Sequence, residues 1–154
     1  MREEVLKRFF DGAATAAELA ADVAGSTQQV SDLASVVKIE DMQDEYTVTR
    51  RMAASLCDAV LKNELSPDAL ATIGFCLMAS DKFAWDADVD PLLADVIADW
   101  ASPEISYPLT LENVERFSKW LSGEQPYPER PSQTHSQGQP ISSTQKQSVT
   151  SGNQ

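Results

Sequence analysis

Histidine is nearly missing from this chain. The one copy, His135, sits in a stretch rich in Ser, Gln and Pro. No Ser–His or Cys–His pair can therefore be held in register by a folded scaffold. Cysteine is scarce too: Cys57 and Cys76 are the two copies. Their separation fits no metal spacing and each falls in a helical pattern, so both are expected to be buried free thiols. Within residues 1–124 glycine occurs singly, at Gly12, Gly25, Gly74 and Gly123, so no phosphate-cradling loop is present there. No apolar run approaches a membrane span, and the opening MREEVLKRFFDG is too charged for a signal peptide. Bases are the last shortage, 12 against 24 acids for a net charge of −12. A surface of that sign repels nucleic-acid phosphates and anionic membrane. These absences predict a cytoplasmic protein that is not an enzyme, with no catalytic residue, no cofactor and no metal. They also predict no direct contact with nucleic acid or membrane.

What is present is good helix-forming material. The 154 residues suffice for one domain with a real core, and an apolar fraction of 42% supports one. Composition shifts near Glu124. From Gln125 on the text is QPYPERPSQTHSQGQPISSTQKQSVTSGNQ, which has too little apolar surface to offset its ordering entropy. The expected division is an acidic helical domain over 1–124 and a tail over 125–154, disordered from about Pro131. The tail holds one acid and two bases, a net +1, so the folded part carries −13.

Within 1–124, Val5, Leu6, Phe9 and Phe10 share a stripe over Glu3 to Phe10. Thr15-Ala-Ala-Glu18 has the form of a capping box opening a helix to about Ala24. Residues 50–64 repeat apolar positions at helical spacing. Ser66-Pro67 and Asp90-Pro91 each join a good N-cap to a proline in the first turn, where its missing donor costs nothing. The helix after Ser66 is apolar nearly all round and is expected to be the buried centre. In the helix after Asp90, Leu92, Leu93, Val96, Ile97 and Trp100 share a face, with Asp95 and Asp99 pointing elsewhere. A last helix begins at Thr110 and ends at Gly123. The stretch 36–49, VVKIEDMQDEYTVT, reads either as two short strands around an acidic turn or as a loop and a helix extension. The predicted fold is all-α: a compact antiparallel bundle of about five or six helices, with a short hairpin near 36–49 as the open question.

The acids are the distinctive feature. Asp86-Ala-Asp88-Val-Asp90 matches the first half of an EF-hand loop, but Pro91 stands where its glycine must be and Ile97 where its bidentate glutamate must be. Calcium is therefore not expected. The N-terminal helix pair faintly suggests a helix-turn-helix, yet its second helix offers Glu18 and Asp22 instead of groups that read bases. From Phe83 to Glu115 there are eight acids and no Lys or Arg: Asp86, Asp88, Asp90, Asp95, Asp99, Glu104, Glu112 and Glu115. A solvated face explains part of this, with Asp90 as N-cap and Asp88 favoured by the helix dipole. Asp95 and Asp99, like charges four apart, weaken a helix slightly and ask for another reason. A basic protein partner, steered by the charge, supplies one. The expected contact residues are Asp86, Asp88, Asp95, Asp99, Glu104 and Tyr107, the last as an aromatic anchor in WASPEISYPLT.

A short helix ending RFFDG, a capped TAAEL helix, and later SPDAL…GFCLMASDKFAWDAD together resemble the colicin D type of immunity protein. The likeness covers the first helix pair and roughly residues 66–96. The chain departs from it by inserting residues 26–65 and by adding WASPEISYPLTLENVERFSKWL. The resemblance implies a small acidic helical inhibitor that neutralises a nuclease toxin, its acidic face imitating phosphates and covering a basic active site. Two other expectations stand beside it: a phage-encoded nucleic-acid mimic, and an adaptor or scaffold whose acidity serves solubility.

Overall fold

A computed structural model describes residues 1–32 and 34–129. The expected disorder from about Pro131, and His135 with it, lies outside the described residues. Six helices dominate what is described: α1 (Glu3–Phe10), α2 (Ala16–Ala24), α3 (Arg50–Leu61), α4 (Pro67–Ala79), α5 (Pro91–Ala101) and α6 (Leu111–Ser122). The chain is mostly helical but not all-α. Strands β1 (Thr27–Ser31) and β2 (Ala34–Val37) form an antiparallel hairpin, and β3 (Tyr46–Thr47) pairs in parallel with β4 (Phe83–Ala84). The hairpin thus lies upstream of the expected 36–49. Within 36–49 only Val36 and Val37 belong to it, and Tyr46–Thr47 takes a partner nearly forty residues away. Backbone pairing of that range leaves no local signal to read.

Each helix start follows its local chemistry. Thr15 accepts from Glu18 N at 3.2 Å while Glu18 Oε2 accepts from Thr15 N at 2.7 Å, closing the capping box. Ser66 accepts from Ala69 N at 3.0 Å and Asp90 from Leu93 N at 3.2 Å, each ahead of a proline. Thr49 opens α3 and Thr110 opens α6 in the same manner, and Gly123 ends α6 at φ 79°, the left-handed conformation that glycine adopts without a Cβ penalty.

The helices pack mainly as α4 on α5 and α3 on α6, with α1 against α2. Leu6, Leu19, Leu56, Leu70, Ile73, Val96, Ile97, Trp100, Val114 and Phe117 are fully buried between them. Removing this apolar area from water, at about 25 cal/mol per Å², is the main force holding the fold. Gly74 lets α4 and α5 touch: a Cβ there would lie 2.7 Å from Trp100 Cβ. α4 is not buried all round, however. It covers Leu70, Ile73, Cys76 and Leu77 but leaves Phe75 46% and Met78 51% exposed, because no described element covers that side.

The first residues are tied in firmly. The α-ammonium of Met1 donates to Lys38 O at 2.5 Å, Glu40 N donates to Met1 O and Glu3 N to Glu40 O. Glu3 is itself buried, its Oε2 accepting from Met42 N at 2.9 Å. These bonds fix the 38–42 segment against α1 and so set where the acidic turn that follows it runs.

Candidate functional site

The loop between β4 and α5 is built by its own carboxylates. Asp86 Oδ1 accepts from the backbone N–H of Asp88 and of Val89, each at 3.1 Å, and Asp86 O accepts from Asp90 N at 2.7 Å. A short side chain bonding two residues on is what lets aspartate shape a turn. Asp90 then caps α5 and receives Arg50 Nε on Oδ2 at 2.7 Å. That guanidinium holds the Asp90 carboxyl below its ordinary value, and the bond from Leu93 N adds to the effect. The loop crest is left to solvent: Asp86 and Asp88 are exposed, Val89 is 79% exposed, and Trp85 is half-buried against the core. Beside it lies a cleft of about 540 Å³ lined by Thr47, Ala84, Trp85, Asp86, Ala87 and Asp88.

The β3–β4 pairing gathers further acids at the other end of β4. Tyr46 N donates to Lys82 O at 2.8 Å and Val48 N to Ala84 O at 2.9 Å, so the two strands run side by side. Glu45 and Asp44, just before β3, are thereby set near Asp81 and Lys82, just before β4. Because the pair is parallel, Asp86 and Asp88 leave it at the opposite end from Asp44 and Glu45. The Tyr46 ring lies between Phe10 and Phe83 at centroid distances of 6.2 and 6.1 Å, and its hydroxyl donates to Asp11 Oδ1 at 2.6 Å. Burial, seconded by that carboxylate, pushes the phenol up to about 12. Exposed Asp44, Glu45 and Asp81 thus gather at one end of the strand pair, Asp11 is held by Tyr46, and Asp86 and Asp88 lie past the other end. Sequence reasoning missed Asp11, Asp44 and Glu45. The acidic turn was visible in the text, but its neighbour was not.

The remaining acids are less uniform than the sequence suggested. Arg50 reaches Asp90, Arg116 pairs with Glu112 at 2.7 Å and Lys119 with Glu115 at 2.8 Å, so three of the eight meet bases from outside the run. Asp99 does not belong to a surface at all. It is fully buried on the core side of α5 and accepts from the Tyr127 hydroxyl at 3.0 Å. The expected partner role of Asp99 is corrected accordingly. Its i,i+4 relation to Asp95 holds, but Asp95 is half-exposed while Asp99 turns under the segment that follows α6.

Glu104 and Tyr107 lie beyond the far end of α5, an 11-residue helix about 16 Å long. They are not brought together with Asp86 and Asp88. Glu104 is exposed beside a groove of about 330 Å³ lined with Asp68, Ala71, Pro103 and Pro108. The Tyr107 ring is half-buried at 5.9 Å from Phe117 and 5.6 Å from Trp120, clamping the 102–110 connection onto α6. The structure thus gathers Asp86 and Asp88 with Asp95 one or two turns into the helix, and separates Glu104, Tyr107 and Asp99 from them.

Among the described residues, no group of three or more His, Cys, Asp or Glu is placed to hold a metal ion, and no helix is long and apolar enough to cross a membrane. What the site offers is charge, an exposed valine and an aromatic edge. Compared with protein-family models, with curated proteins and with solved structures, the chain matches none of them.

Proposed function

We propose that this chain is a small acidic protein-binding inhibitor of the immunity type, which neutralises a basic nuclease domain by covering its active site. One observation carries the reading: the Trp85–Val89 crest sets an exposed apolar side chain and an aromatic ring among unpaired carboxylates. Asp88, Asp95, Asp44 and Glu45 have no ion-pair partner among the described residues. Carboxylates left without bases repel one another, a cost that steering toward a positively charged surface repays. A nuclease active site lined with Lys and Arg for phosphate is a natural complement. The carboxylates steer the encounter, and Val89 and Trp85 supply the desolvated centre that holds the complex. The chain acts by occlusion in the cytoplasm, without turnover and without a cofactor. The order of RFFDG, TAAEL and SPDAL…DKFAWDAD supports the immunity-type assignment.

The experiment uses the full chain as bait against lysate of its native organism, beside a D44N/E45Q/D88N variant. These three carboxylates make no side-chain hydrogen bond among the described residues, so the variant keeps its fold. Wild type should retain a basic nuclease that the variant loses, and the purified chain should stop that nuclease cleaving RNA or DNA in stoichiometric amount. Equal capture by both baits would remove the acidic crest from the mechanism. Capture of a protein whose activity continues unchanged would favour the adaptor reading.

A further inference from the structure

A cleft of about 860 Å³ lies between α1, α2 and the 38–40 segment, and it shares no lining residue with the cleft beside the β4–α5 loop. Its volume suits a small organic molecule. Arg2, Val5 and Arg8 recur along the α1 wall, and Glu18, Ala21 and Asp22 along the α2 wall, each at helical spacing. Backbone bonds pin the third wall: Glu40 N donates to Met1 O at 2.9 Å and Lys38 N to Ser26 O at 2.8 Å. The charges of the cleft divide into engaged and free. Asp22, its side chain 8% exposed, accepts from Arg2 N at 2.7 Å and from Arg2 Nε at 2.8 Å, so both of its oxygens are taken. Glu18 accepts from Thr15 N in the capping box, and Glu40 lies close enough to Arg2 for its charge to be felt there. Arg8 and Lys38 are different. Among the described residues neither makes an ion pair; Arg8 gives one Nη2 proton to Ala13 O, and Lys38 Nζ makes no hydrogen bond.

We infer that this cleft binds a small linear dicarboxylate with an apolar middle, one carboxylate on Arg8, the other on Lys38, and the hydrocarbon over Val5 and Ile39. Chemistry identifies the class of ligand. An unpaired guanidinium and an unpaired ammonium are donors that call for an anionic acceptor, whereas Asp22 and Glu18 are already occupied. Buried Val5 and half-buried Ile39 favour a hydrocarbon body over a bare inorganic ion. Geometry sets the length. Arg8 stands in the last turn of α1, six residues or about 9 Å along the axis from Arg2. Lys38 stands at the opposite end, beside Ser26 and just past the end of α2. A single carboxylate cannot serve both. The net charge of −12 opposes any anion, but salt screens the distant acids over about 10 Å while the two bases act at contact.

Calorimetric titration of the full chain with azelate, whose extended length matches the span of the cleft, tests the inference. Azelate should bind with a Kd below about 1 mM, and octanoate, octan-1-ol and inorganic phosphate each at least about fivefold more weakly. R8Q and K38Q should each weaken azelate at least about fivefold, the loss expected when one charge-assisted hydrogen bond is removed. Both side chains are exposed and outside any described ion pair, so the melting temperatures should stay at the wild-type value. A21L, at an exposed position that lines the cleft, should block azelate by filling the space. The D44N/E45Q/D88N variant should bind azelate as wild type does, so that failure of the acidic crest and failure of this cleft are separate results. No saturation by about 10 mM azelate overturns the proposal. So does octanol or phosphate binding as tightly as azelate, octanoate matching it, or azelate binding that survives R8Q, K38Q and A21L.

Discussion

The Tyr127 hydroxyl donates to Asp99 Oδ2 across 3.0 Å, and the Tyr127 ring meets Trp120 edge-on at 5.0 Å. Residues assigned by composition to the tail thus begin as part of the packed structure. Deleting 131–154 should leave the melting temperature unchanged. Tyr127→Phe should cost about 1 kcal/mol or more, because it takes a hydrogen bond from a buried carboxylate. Urea denaturation of the two variants checks both statements. A Tyr127→Phe protein as stable as wild type would mean that the bond contributes nothing.

The same burial separates two aspartates that look alike in the text. Asp95→Asn should change stability by less than about 0.5 kcal/mol, the usual scale for a surface position. Asp99→Ala should destabilise by several times that amount, since it leaves a cavity and removes a buried carboxylate that accepts from the Tyr127 hydroxyl. If both variants unfold at the same urea concentration, Asp99 is not buried as described.

Gly74→Ala probes the α4–α5 contact. The added Cβ would meet Trp100 Cβ at 2.7 Å and Ala101 N at 2.8 Å, atoms of or next to the α5 backbone that cannot step aside. Overpacking of this kind costs about 1–3 kcal/mol, outweighing the helix propensity alanine would add. A more stable variant would show that the two helices can separate freely.

Arg50 and Asp90 give a pH-dependent contribution. The Asp90 carboxyl titrates below its usual 3.8 in the folded chain, so the stabilisation is present above that value and fades as the pH falls below it. Asn at position 90 keeps the cap but not the ion pair. Asp90→Asn should therefore be less stable than wild type near neutrality, by about 1 kcal/mol or less at so exposed a pair, and the gap should close below about pH 4. A gap that persists unchanged at acid pH would assign the difference to something other than ionisation.

Burial pushes the Cys76 thiol up to about 12 and raises Cys57 as well. Thiolate is the reactive form. In native buffer at neutral pH both cysteines should resist a disulfide reagent, and both should titrate at once in guanidinium. Rapid labelling of either in the native protein would place it at the surface.

Much of the helical framework was legible. Thr15–Glu18, Ser66-Pro67, Asp90-Pro91, Thr110 and Gly123 sit where the sequence placed the helix ends, because caps are decided by a few adjacent residues. The hairpin was misplaced because its strands, TQQVS and ASVV, bury nothing and so show no apolar alternation to detect. β3 and β4 are two residues each, too short for any pattern.

The amino-acid sequence by itself determined the charge, the cap chemistry and the apolar stripes, all properties of residues within a few positions of each other. Only tertiary structure decided which acids share a surface. Parallel pairing of Tyr46–Thr47 with Phe83–Ala84 carries Asp44 and Glu45 to Asp81, Arg50 crosses forty residues to Asp90, and Tyr127 comes down on Asp99. Those choices depend on the side of a helix that another segment covers. That is fixed by the packing of the whole core and not by the spacing of aspartates along the chain.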